Sequence, residues 1–371
     1  MIIGIDGNEA NVSNKVGIGQ FAGSILDQLS KLKTGHTFWI YLKNKPISDF
    51  PKESDSWKYK IVGPKAFWTQ IGLPFHLYTS KKPDVFFSPT HYAPRLSPVP
   101  TVIAVMDMSF IHFPELFRKK DLFQLKNWTS YSVRRASRVI TISQASKSDI
   151  IKTYNISKDR VDVVYPGIDY ARFDEKSSME TIKEKYNVPK RYILFVGTLQ
   201  PRKNIARLIE AFDKVIKDKN MSDLSLVIIG KKGWMYEDIL NTPKKLGIED
   251  KVMFLDFVPD EDIPYFYKNA QVFVLPSLYE GFGLPILEAM KYNCPVITSN
   301  VSSLPEVGGD AVLYVDPESV DDIAKKIAQL ISDEKLREKL IEKGREQIKK
   351  FDWEKSARQV LSILEEVGNA R

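Results

Sequence analysis

Short apolar runs alternate with helical segments along this chain, and the alternation occurs twice. Runs rich in Val, Ile and aromatic residues are candidate strands. In the first half these runs read MIIGID, HTFWIYL, DVFFSP, TVIAVMD and RVITIS. The segment GQFAGSILDQLSKL, between the first two, has the spacing of an amphipathic helix. Strands that alternate with helices indicate a parallel, doubly wound sheet, so the first half is predicted to be an α/β domain.

The same pattern begins again near residue 191. The later candidate strands are RYILFVG, LSLVIIG, KVMFLD, AQVFVLP and CPVITS, and the helices between them are NIARLIEAFDKVI, DEDIPYFYKN and PILEAMKY. The intervening segment YPGIDYARFDEKSSMETIKEKYNVPK is polar and rich in turn formers, which is typical of a linker. A chain of 371 residues is long enough for two domains. We therefore predict α/β domains over residues 1–170 and 171–352.

The C-terminal tail is predicted to be helical. DPESVDDIAKKIAQLISD and DEKLREKLIEKGREQIKK are followed by FDWEKSARQVLSILEEV, in which Asp352 is the expected N-cap. An apolar stripe runs along one side of this last helix, formed by Trp353, Ala357, Val360, Leu361 and Leu364. Such a stripe must be buried against another part of the protein.

Composition excludes several classes of protein. The single cysteine, Cys294, excludes a disulfide framework and a cysteine-based zinc site, and it suits a reducing compartment. The start MIIGIDGNEA lacks the basic region and long apolar run of a signal peptide. No apolar stretch approaches the roughly 20 residues that span a bilayer. These features predict a cytoplasmic protein.

The net charge of +7 is unevenly distributed. Residues 1–170 contain 23 Lys and Arg against 14 Asp and Glu, whereas residues 171–371 contain 31 against 33. The densest basic stretch, RKKDLFQLKNWTSYSVRRASR, runs from Arg118 to Arg138 and includes aromatic residues. It is either a solvated helix face or a surface for anionic lipid, an anionic substrate or nucleic acid. No nucleic-acid-binding motif accompanies it, so nucleic acid is not expected as a partner.

A basic pair follows the first strand of the second half, in FVGTLQPRKNIARLIEAF. The strand ends at Gly197, and Arg202 and Lys203 precede a helix that is predicted to begin near Asn204. Helix N-termini present free N–H groups and a positive dipole end. With two cations added, this loop is a candidate phosphate or diphosphate site. Adjacent Arg and Lys are also common on surfaces without any such role.

Two glycines open the first helix. Gly17 and Gly19, in VGIGQFAGSIL, would let backbone N–H groups approach a bound anion closely. With Gly23 they miss the dinucleotide fingerprint G-x-G-x-x-G by one residue, and they follow the strand too late. A nicotinamide enzyme is therefore disfavoured.

The stretch LYEGFGLPILEAM contains two glutamates around a glycine-rich loop. Glu280 follows a strand, at the edge where open α/β sheets bind ligands, and Gly281 and Gly283 expose backbone N–H groups. Pro285 suits the first turn of a helix, and a helix beginning there places Glu288 in that turn. Two carboxylates at such an edge indicate a hydroxyl-rich ligand, such as a sugar with a ribose. The alternative is a capping glutamate and a surface glutamate.

Over nearly its whole length the chain resembles the retaining glycosyltransferases of family 4. The stretch EGFGLPILE matches the E-x7-E motif of that family, and PRKN matches its basic pair. The resemblance implies the GT-B fold, in which two Rossmann-like domains face each other across a cleft and the last helix, here 353–371, crosses back to the N-terminal domain. It implies that Glu280 contacts the donor sugar, that Glu288 contacts the ribose, and that Arg202 and Lys203 hold the diphosphate.

Other segments carry further implied roles. VGIGQFAGSIL resembles the loop that closes over the donor phosphates and the acceptor, and SRVITISQASKSDI and VVYPGID resemble the segments that end the first domain. FLDFVPDEDIPYFYKNA resembles the stretch whose backbone reads the base. The implied donor-binding residues are Gly17, Gly19, Thr198, Val258, Gly281, Phe282, Gly283, Leu284 and Glu288.

The chain departs from the family pattern at two places. Thr198 stands where many members have an arginine, so Arg202 and Lys203 are expected to hold the diphosphate alone. Met106 stands where many members have a histidine before the aspartate, here Asp107. Asp107 and His112 are candidates to orient the acceptor or the donor sugar. His91 is a further candidate, although a single histidine is often only a structural hydrogen-bonding residue.

The resemblance implies transfer of a hexose from a nucleoside diphosphate sugar, with retention, to a glycan or lipid-linked acceptor. The expected acceptor domain is the first and the expected donor domain the second. Overall similarity favours mannose from GDP-mannose, with UDP-glucose or another UDP-sugar as the alternative, in polysaccharide or O-antigen synthesis. No Asp-x-Asp pair lies in a plausible loop, so no metal cofactor is expected. The basic first domain would suit peripheral contact with the inner face of an anionic membrane. A non-catalytic nucleotide-sugar-binding protein is the remaining alternative.

Overall fold

The computed structural model describes residues 1–13, 15, 17–168 and 179–370. The chain divides into two compact units: unit 1 comprises residues 1–167 and 352–371, and unit 2 comprises residues 168–351. The predicted linker segment includes residues 169–178, which lie outside the described residues.

Unit 1 is built on a parallel sheet in the order β3-β2-β1-β4-β5-β6-β7, as far as the described residues show. Its strands are β1 Ile2–Asp6, β2 Thr37–Leu42, β3 Trp57–Ile61, β4 Val85–Ser88, β5 Thr101–Val105, β6 Arg138–Thr141 and β7 Val161–Val163. Its helices before residue 168 are α1 Ile18–Lys31, α2 Leu73–Thr79, α3 Ser109–His112, α4 Lys119–Arg135 and α5 Gln144–Tyr154. A π-helical turn, Trp68–Gly72, leads directly into α2.

The unit 1 sheet is buried between its helices, as parallel sheets usually are. Every residue of β4 and of β5 is buried. The candidate strands of the first half are confirmed as β1, β2, β4, β5 and β6, whereas β3 and β7 were not predicted. β3 reads WKYKI, with lysines at alternate positions. β7 has only three residues and Asp162 in its centre, so neither segment has a long apolar run.

Unit 2 repeats this architecture. Its sheet has the order β10-β9-β8-β11-β12-β13 within the described residues, and all its pairings are parallel. Its strands are β8 Tyr192–Val196, β9 Ser225–Ile229, β10 Val252–Leu255, β11 Val272–Leu275, β12 Val296–Ser299 and β13 Leu313–Val315. Its helices are α6 Met179–Tyr186, α7 Ile205–Ile216, α8 Glu237–Leu246, α9 Ile263–Asn269, α10 Leu284–Lys291, α11 Leu304–Gly308, α12 Val320–Ser332 and α13 Glu334–Gln347. The α/β class with two Rossmann-like sheets is thus confirmed.

The order of the strands determines where unit 2 can bind a ligand. β8 lies beside β11, and the chain leaves these two strands towards opposite sides of the sheet. In doubly wound folds a crevice opens at such a switch point, outside the carboxyl ends of the strands. The loops that follow β8 and β11 carry the basic pair and the first glutamate of the sequence motifs.

The last helix, α14 Trp353–Asn369, returns the chain to unit 1, where it packs on α1. The Asp352 side chain accepts a hydrogen bond from the backbone N–H of Lys355 at 2.8 Å, which confirms the predicted N-cap. All five members of the apolar stripe are buried. Gly167 lies so close to this helix that a Cβ there would be 2.3 Å from the backbone nitrogen of Trp353. Among the described residues, no helix has both the length and the apolar character to cross a bilayer.

Candidate active site

The loops after β8 and β11 are joined by hydrogen bonds at the switch point of unit 2. The backbone N–H of Leu278 donates to the carbonyl of Arg202 at 2.9 Å. The buried side chain of Asn204 donates to the carbonyl of Pro276 at 2.9 Å. Asn204 also ends the short 3-10 turn Pro201–Lys203, with a left-handed φ of 61°. The two loops therefore form one surface, on which Arg202 and Lys203 face the segment that contains Glu280.

Glu280 is buried and its carboxylate accepts hydrogen bonds from three side chains. Lys203 Nζ lies 2.6 Å from Oε1, and Ser277 Oγ donates to the same oxygen at 2.7 Å. Arg202 donates to Oε2 at 3.1 Å and also to the carbonyl of Tyr279. The side chains of Arg202 and Lys203 are only 14% and 13% exposed, so the cluster is largely shielded from water. It is a concentrated charge site of two cations and one anion.

The two cations decide the charge of Glu280. Burial raises the pKa of this carboxyl, but the positive charges of Lys203 and Arg202, with the hydrogen bonds from Lys203 and Ser277, outweigh burial and lower it to about 2. The folded protein therefore holds Glu280 as a carboxylate throughout the physiological range.

This lowered pKa predicts an acid-labile contribution to stability. The folded-state pKa is below the ordinary value of 4.5, so the contribution is fully present above pH 4.5 and is lost as the pH falls towards 2. Above pH 4.5, we expect Glu280 to contribute about 3 kcal/mol to the free energy of unfolding, a contribution that Glu280→Gln lacks. Urea unfolding of both proteins between pH 2 and pH 7 measures the difference. A difference that does not shrink below pH 4.5 would contradict the lowered pKa; the exposed Glu338→Gln is the matched control.

Hydrogen bonds from two serines, the buried Ser303 and the partly buried Ser302, hold the glycine loop between the two glutamates. Ser303 Oγ lies 2.9 Å from the carbonyl oxygens of both Glu280 and Phe282. Ser302 Oγ accepts the backbone N–H of Glu280 at 3.0 Å. Gly283 has φ of 110°, a conformation that favours glycine, and it forms the N-cap of α10. The loop therefore has a fixed backbone at the positive end of a helix.

Glu288 lies on α10, but not in its first turn as predicted. The helix begins at Leu284, one residue before Pro285, so Glu288 is its fifth residue and lies in the second turn. The hydroxyl of Tyr267 donates to Glu288 Oε2 at 3.0 Å. Tyr267 is fully buried and stacks on Tyr292 with ring centroids 6.1 Å apart. One carboxylate oxygen is thereby oriented by a rigid partner.

Thr198 and Val258 lie after β8 and β10, at the same edge of the unit 2 sheet as the charge cluster. Thr198 is exposed, and Val258 is buried. Phe257, before Val258, is exposed, and the ammonium of Lys231 lies 4.6 Å from its ring centroid.

The remaining candidates lie in unit 1. Gly17 is the N-cap of α1 with φ of 49°, in open space, whereas a Cβ on Gly19 would lie 2.8 Å from the carbonyl oxygen of Glu9. Asn14 and Val16, in the same loop, are outside the described residues. Gly19 therefore permits a close approach of two backbone segments, and Gly17 supplies the left-handed turn into the helix.

His91 and His112, the two histidine candidates, have different surroundings in the structure. Asp107 accepts hydrogen bonds from the backbone and hydroxyl of Ser109, at 2.9 and 2.7 Å. His112 lies 2.9 Å from Asp149 and is partly exposed. His91 Nε2 accepts the backbone N–H of Met106 at 3.2 Å. Burial lowers the pKa of His91, and the charge of Asp107 opposes this shift. His91 is thus the histidine against the Met106–Asp107 strand end.

Sequence reasoning missed the residues that orient the glutamates. Ser277, Ser302, Ser303 and Tyr267 carry no motif of their own. Ser277 lies two residues after the end of β11, and this position near a strand end was the one available signal. Tyr267 has the pattern of an ordinary helix core position. Within the described residues, no group of three or more His, Cys, Asp or Glu side chains is arranged to hold a metal ion.

Family models match both halves of the chain. Residues 35–172 match the model described as Glycosyltransferase Family 4, and residues 178–347 match the model described as Glycosyl transferases group 1. These models and the paired Rossmann-like sheets define a glycosyltransferase with the GT-B fold.

Individual relatives agree with this class. The O-antigen chain mannosyltransferase B of Escherichia coli is 35% identical over 284 residues, which cover 76% of this chain and 74% of that protein. The O-antigen chain mannosyltransferase RfbU of Salmonella typhimurium strain LT2 is 33% identical, over 62% of this chain and 61% of that protein. The structure of HepE from Anabaena in complex with UDP-glucose aligns with a TM-score of 0.74 at 18% identity, covering 98% and 99% of the two chains. The chain belongs to glycosyltransferase family 4.

Proposed function

We propose that the protein transfers mannose from GDP-mannose to a hydroxyl of a glycan or lipid-linked acceptor, with retention of anomeric configuration, in polysaccharide or O-antigen synthesis. The observation that carries the proposal is the buried cluster of Glu280, Arg202 and Lys203 at the switch point of unit 2. A nucleoside diphosphate sugar presents two phosphates and several hydroxyls close together. The cluster offers two cations that can bind the phosphates and a carboxylate that can accept hydrogen bonds from the hydroxyls.

The cations would act on the leaving group. As the bond between the anomeric carbon and the diphosphate oxygen breaks, negative charge develops on the diphosphate. Fixed positive groups aimed at that charge lower the barrier, and they act more strongly where water is excluded. Arg202 and Lys203 are held by hydrogen bonds at low exposure, so they need little reorganisation as the charge develops. In this proposal no metal ion is needed for the step.

Glu280 would position the sugar. Its carboxylate now accepts hydrogen bonds from the two cations and Ser277. A donor diphosphate would compete for the cations, and the freed carboxylate lone pairs would then accept hydrogen bonds from sugar hydroxyls. Glu288, oriented by Tyr267, would accept from the ribose diol in the same way.

The acceptor hydroxyl would form the new bond on the face that the diphosphate leaves. Its oxygen bonds to the anomeric carbon, and its proton passes to the departing phosphate oxygen, so atoms and charge balance without a protein base. Unit 1 is the proposed acceptor domain, with Asp107 and either His91 or His112 as positioning groups. This route does not require the histidine that Met106 replaces.

The sugar and the base of the proposed donor are inferred from the relatives of this chain. Two mannosyltransferases of O-antigen chains are more than 30% identical to this chain, which favours mannose. GDP-mannose is the donor proposed on that ground. The structure of HepE contains UDP-glucose, but at 18% identity the likeness to HepE supports only the fold of this chain. A UDP-sugar remains the second candidate donor, as in the sequence analysis.

Thermal unfolding with GDP, UDP, ADP and their sugar derivatives tests the donor site. A nucleotide at 100 times its Kd adds about 2.7 kcal/mol to the free energy of unfolding. We expect GDP and GDP-mannose to raise Tm most, and Glu288→Ala to bind about tenfold more weakly because the ribose loses its acceptor. Glu338→Ala, exposed on α13, is the matched control.

Each outcome of this test has a clear meaning. A larger shift with UDP would replace GDP-mannose by a UDP-sugar. No shift with any nucleotide, or an equal shift in Glu288→Ala, would contradict the donor site. A non-catalytic binding protein would show the shift but release no nucleoside diphosphate with any acceptor.

A further inference from the structure

A helical segment of unit 1 presents apolar side chains on both of its faces. The π-helical turn Trp68–Gly72 and α2 bury Trp68, Leu73 and Leu77 in the core, together with Tyr41 and Phe86. The indole N–H of Trp68 anchors the segment by donating to the carbonyl of Val62 at 2.9 Å. A helix with one buried face normally has a polar outer face, because that face meets water.

The outer face of this segment is apolar instead. Phe67, Ile71, Phe75 and Tyr78 recur at intervals of four, four and three residues, and their exposed fractions lie between 55% and 67%. We call these four side chains the outer stripe. Single exposed apolar residues are ordinary, but a contiguous stripe on one helical face marks an interaction surface.

Neighbouring backbone geometry extends the outer stripe. The hydroxyl of Tyr78 donates to the carbonyl of Leu96 at 2.9 Å, and Leu96 is itself 63% exposed. Phe67 and Leu96 both have a left-handed backbone, with φ of 49° and 51°. Glycine or asparagine would adopt that conformation with less strain and be more soluble. Exposing two large apolar side chains to water at strained backbone positions is unfavourable, whereas burying them at an interface would be favourable.

The charge around the outer stripe is predominantly positive. Residues 56–106 contain six basic residues and one acidic residue, Asp84. The Asp84 carboxylate accepts the backbone N–H of Ile2 at 2.7 Å. Lys65, Lys81 and Lys82 are exposed at the two ends of the segment. The ammonium of Lys82 lies 5.6 Å from the ring centroid of Tyr78. Basic residues flanking an apolar, aromatic face are the pattern of helices that lie in the interface of an anionic bilayer.

We propose that the outer stripe docks unit 1 on an anionic lipid bilayer, with Phe67, Ile71 and Phe75 inserted between head groups and the lysines against lipid phosphates. The basic helix α4 contributes charge to this unit but only Phe123 as a large exposed apolar side chain, so it is less suited to insertion. This inference stands on unit 1 and does not depend on the donor or the reaction.

Co-sedimentation of the full chain with phosphatidylcholine vesicles, with and without phosphatidylglycerol, tests the proposal. We expect binding to the anionic vesicles that weakens with salt. The triple variant Phe67→Ser, Ile71→Ser, Phe75→Ser should lower the partition coefficient at least about tenfold. Lys81→Glu with Lys82→Glu should lower it as well. The matched control is Lys244→Glu with Lys245→Glu, an equal charge change on exposed residues of unit 2.

The substituted side chains are exposed, so circular dichroism and Tm should stay as in the wild type. Equal vesicle binding by wild type and triple variant would overturn the proposal. So would equal binding to neutral and anionic vesicles. Concentration-dependent dimers that the triple variant abolishes, without vesicle binding by the wild type, would assign the outer stripe to contact between two copies instead.

Discussion

Replacing Lys203 by methionine is expected to lower kcat for sugar transfer by about 10²- to 10³-fold, the usual loss when one group that stabilises developing charge is removed. The ammonium of Lys203 lies 2.6 Å from Glu280 and is 13% exposed, so no water can take its place at full strength. Methionine keeps the length and most of the apolar stem. Steady-state kinetics with the preferred nucleotide sugar, or release of its diphosphate, measure the loss.

The matched control for Lys203→Met is Lys214→Met. Lys214 lies on α7, the helix that follows the basic pair, and forms an exposed ion pair with Asp321. Such pairs contribute little, so activity should stay within about twofold of wild type. Lys203→Met with wild-type kcat and an unchanged fold would remove the proposed role of this cation.

Glu280→Gln separates the role of the carboxylate from that of the cations. Glu280→Gln removes the carboxylate charge that competes with a diphosphate for Arg202 and Lys203, so free nucleoside diphosphate should bind at least as tightly as in the wild type. Sugar transfer should nevertheless fall, because the neutral amide of glutamine accepts hydrogen bonds from the donor sugar's hydroxyls more weakly than the carboxylate does. Loss of diphosphate affinity in Glu280→Gln would instead show that the carboxylate serves mainly to hold the loop.

The sequence identified the charged members of the site but not their mutual contact. Arg202 and Lys203 are more than 75 residues from Glu280 along the chain, and each was assigned to a different part of a ligand. Parallel topology brings their loops together, because β8 and β11 are neighbours. That adjacency depends on strand order, which local apolar patterns do not contain.

Fold prediction succeeded where the local pattern is strong and failed where tertiary structure decides. Most of the long apolar runs became buried inner strands, although KVMFLD became β10, a partly buried strand at the edge of the unit 2 sheet. β3, β7 and β13 lie towards the sheet edges and are short or rich in polar residues, so pairing with a neighbour stabilises them rather than their own composition. For the same reason the sequence left open whether Asp107 or His112 takes the role of the absent histidine, with His91 as a lesser candidate, because the distances between these side chains depend on tertiary structure.

Gly230→Ala is expected to destabilise unit 2 by about 3 kcal/mol or more, the range of severe backbone clashes. A Cβ on Gly230 would lie 1.9 Å from the carbonyl oxygen of Gly197 and 2.6 Å from its carbonyl carbon. Both contacts are backbone, so no side-chain rotation can relieve them. Gly197 itself donates its N–H to Ile229 at 2.9 Å, and Gly230 donates to Leu255 at 3.0 Å, so the clash acts between strands that are already paired.

Relief of that clash requires the end of β8 to move, and with it the loop that carries Arg202 and Lys203. We therefore expect Gly230→Ala to lose the nucleotide-induced rise in Tm as well as stability, as measured by calorimetry with and without nucleotide. Gly35→Ala, where a new Cβ meets no atom within 4 Å, is the control and should change stability by less than about 1 kcal/mol. Wild-type stability in Gly230→Ala would mean that the ends of β8 and β9 are not packed this closely, and would remove the rigid support on which the proposed action of the two cations depends.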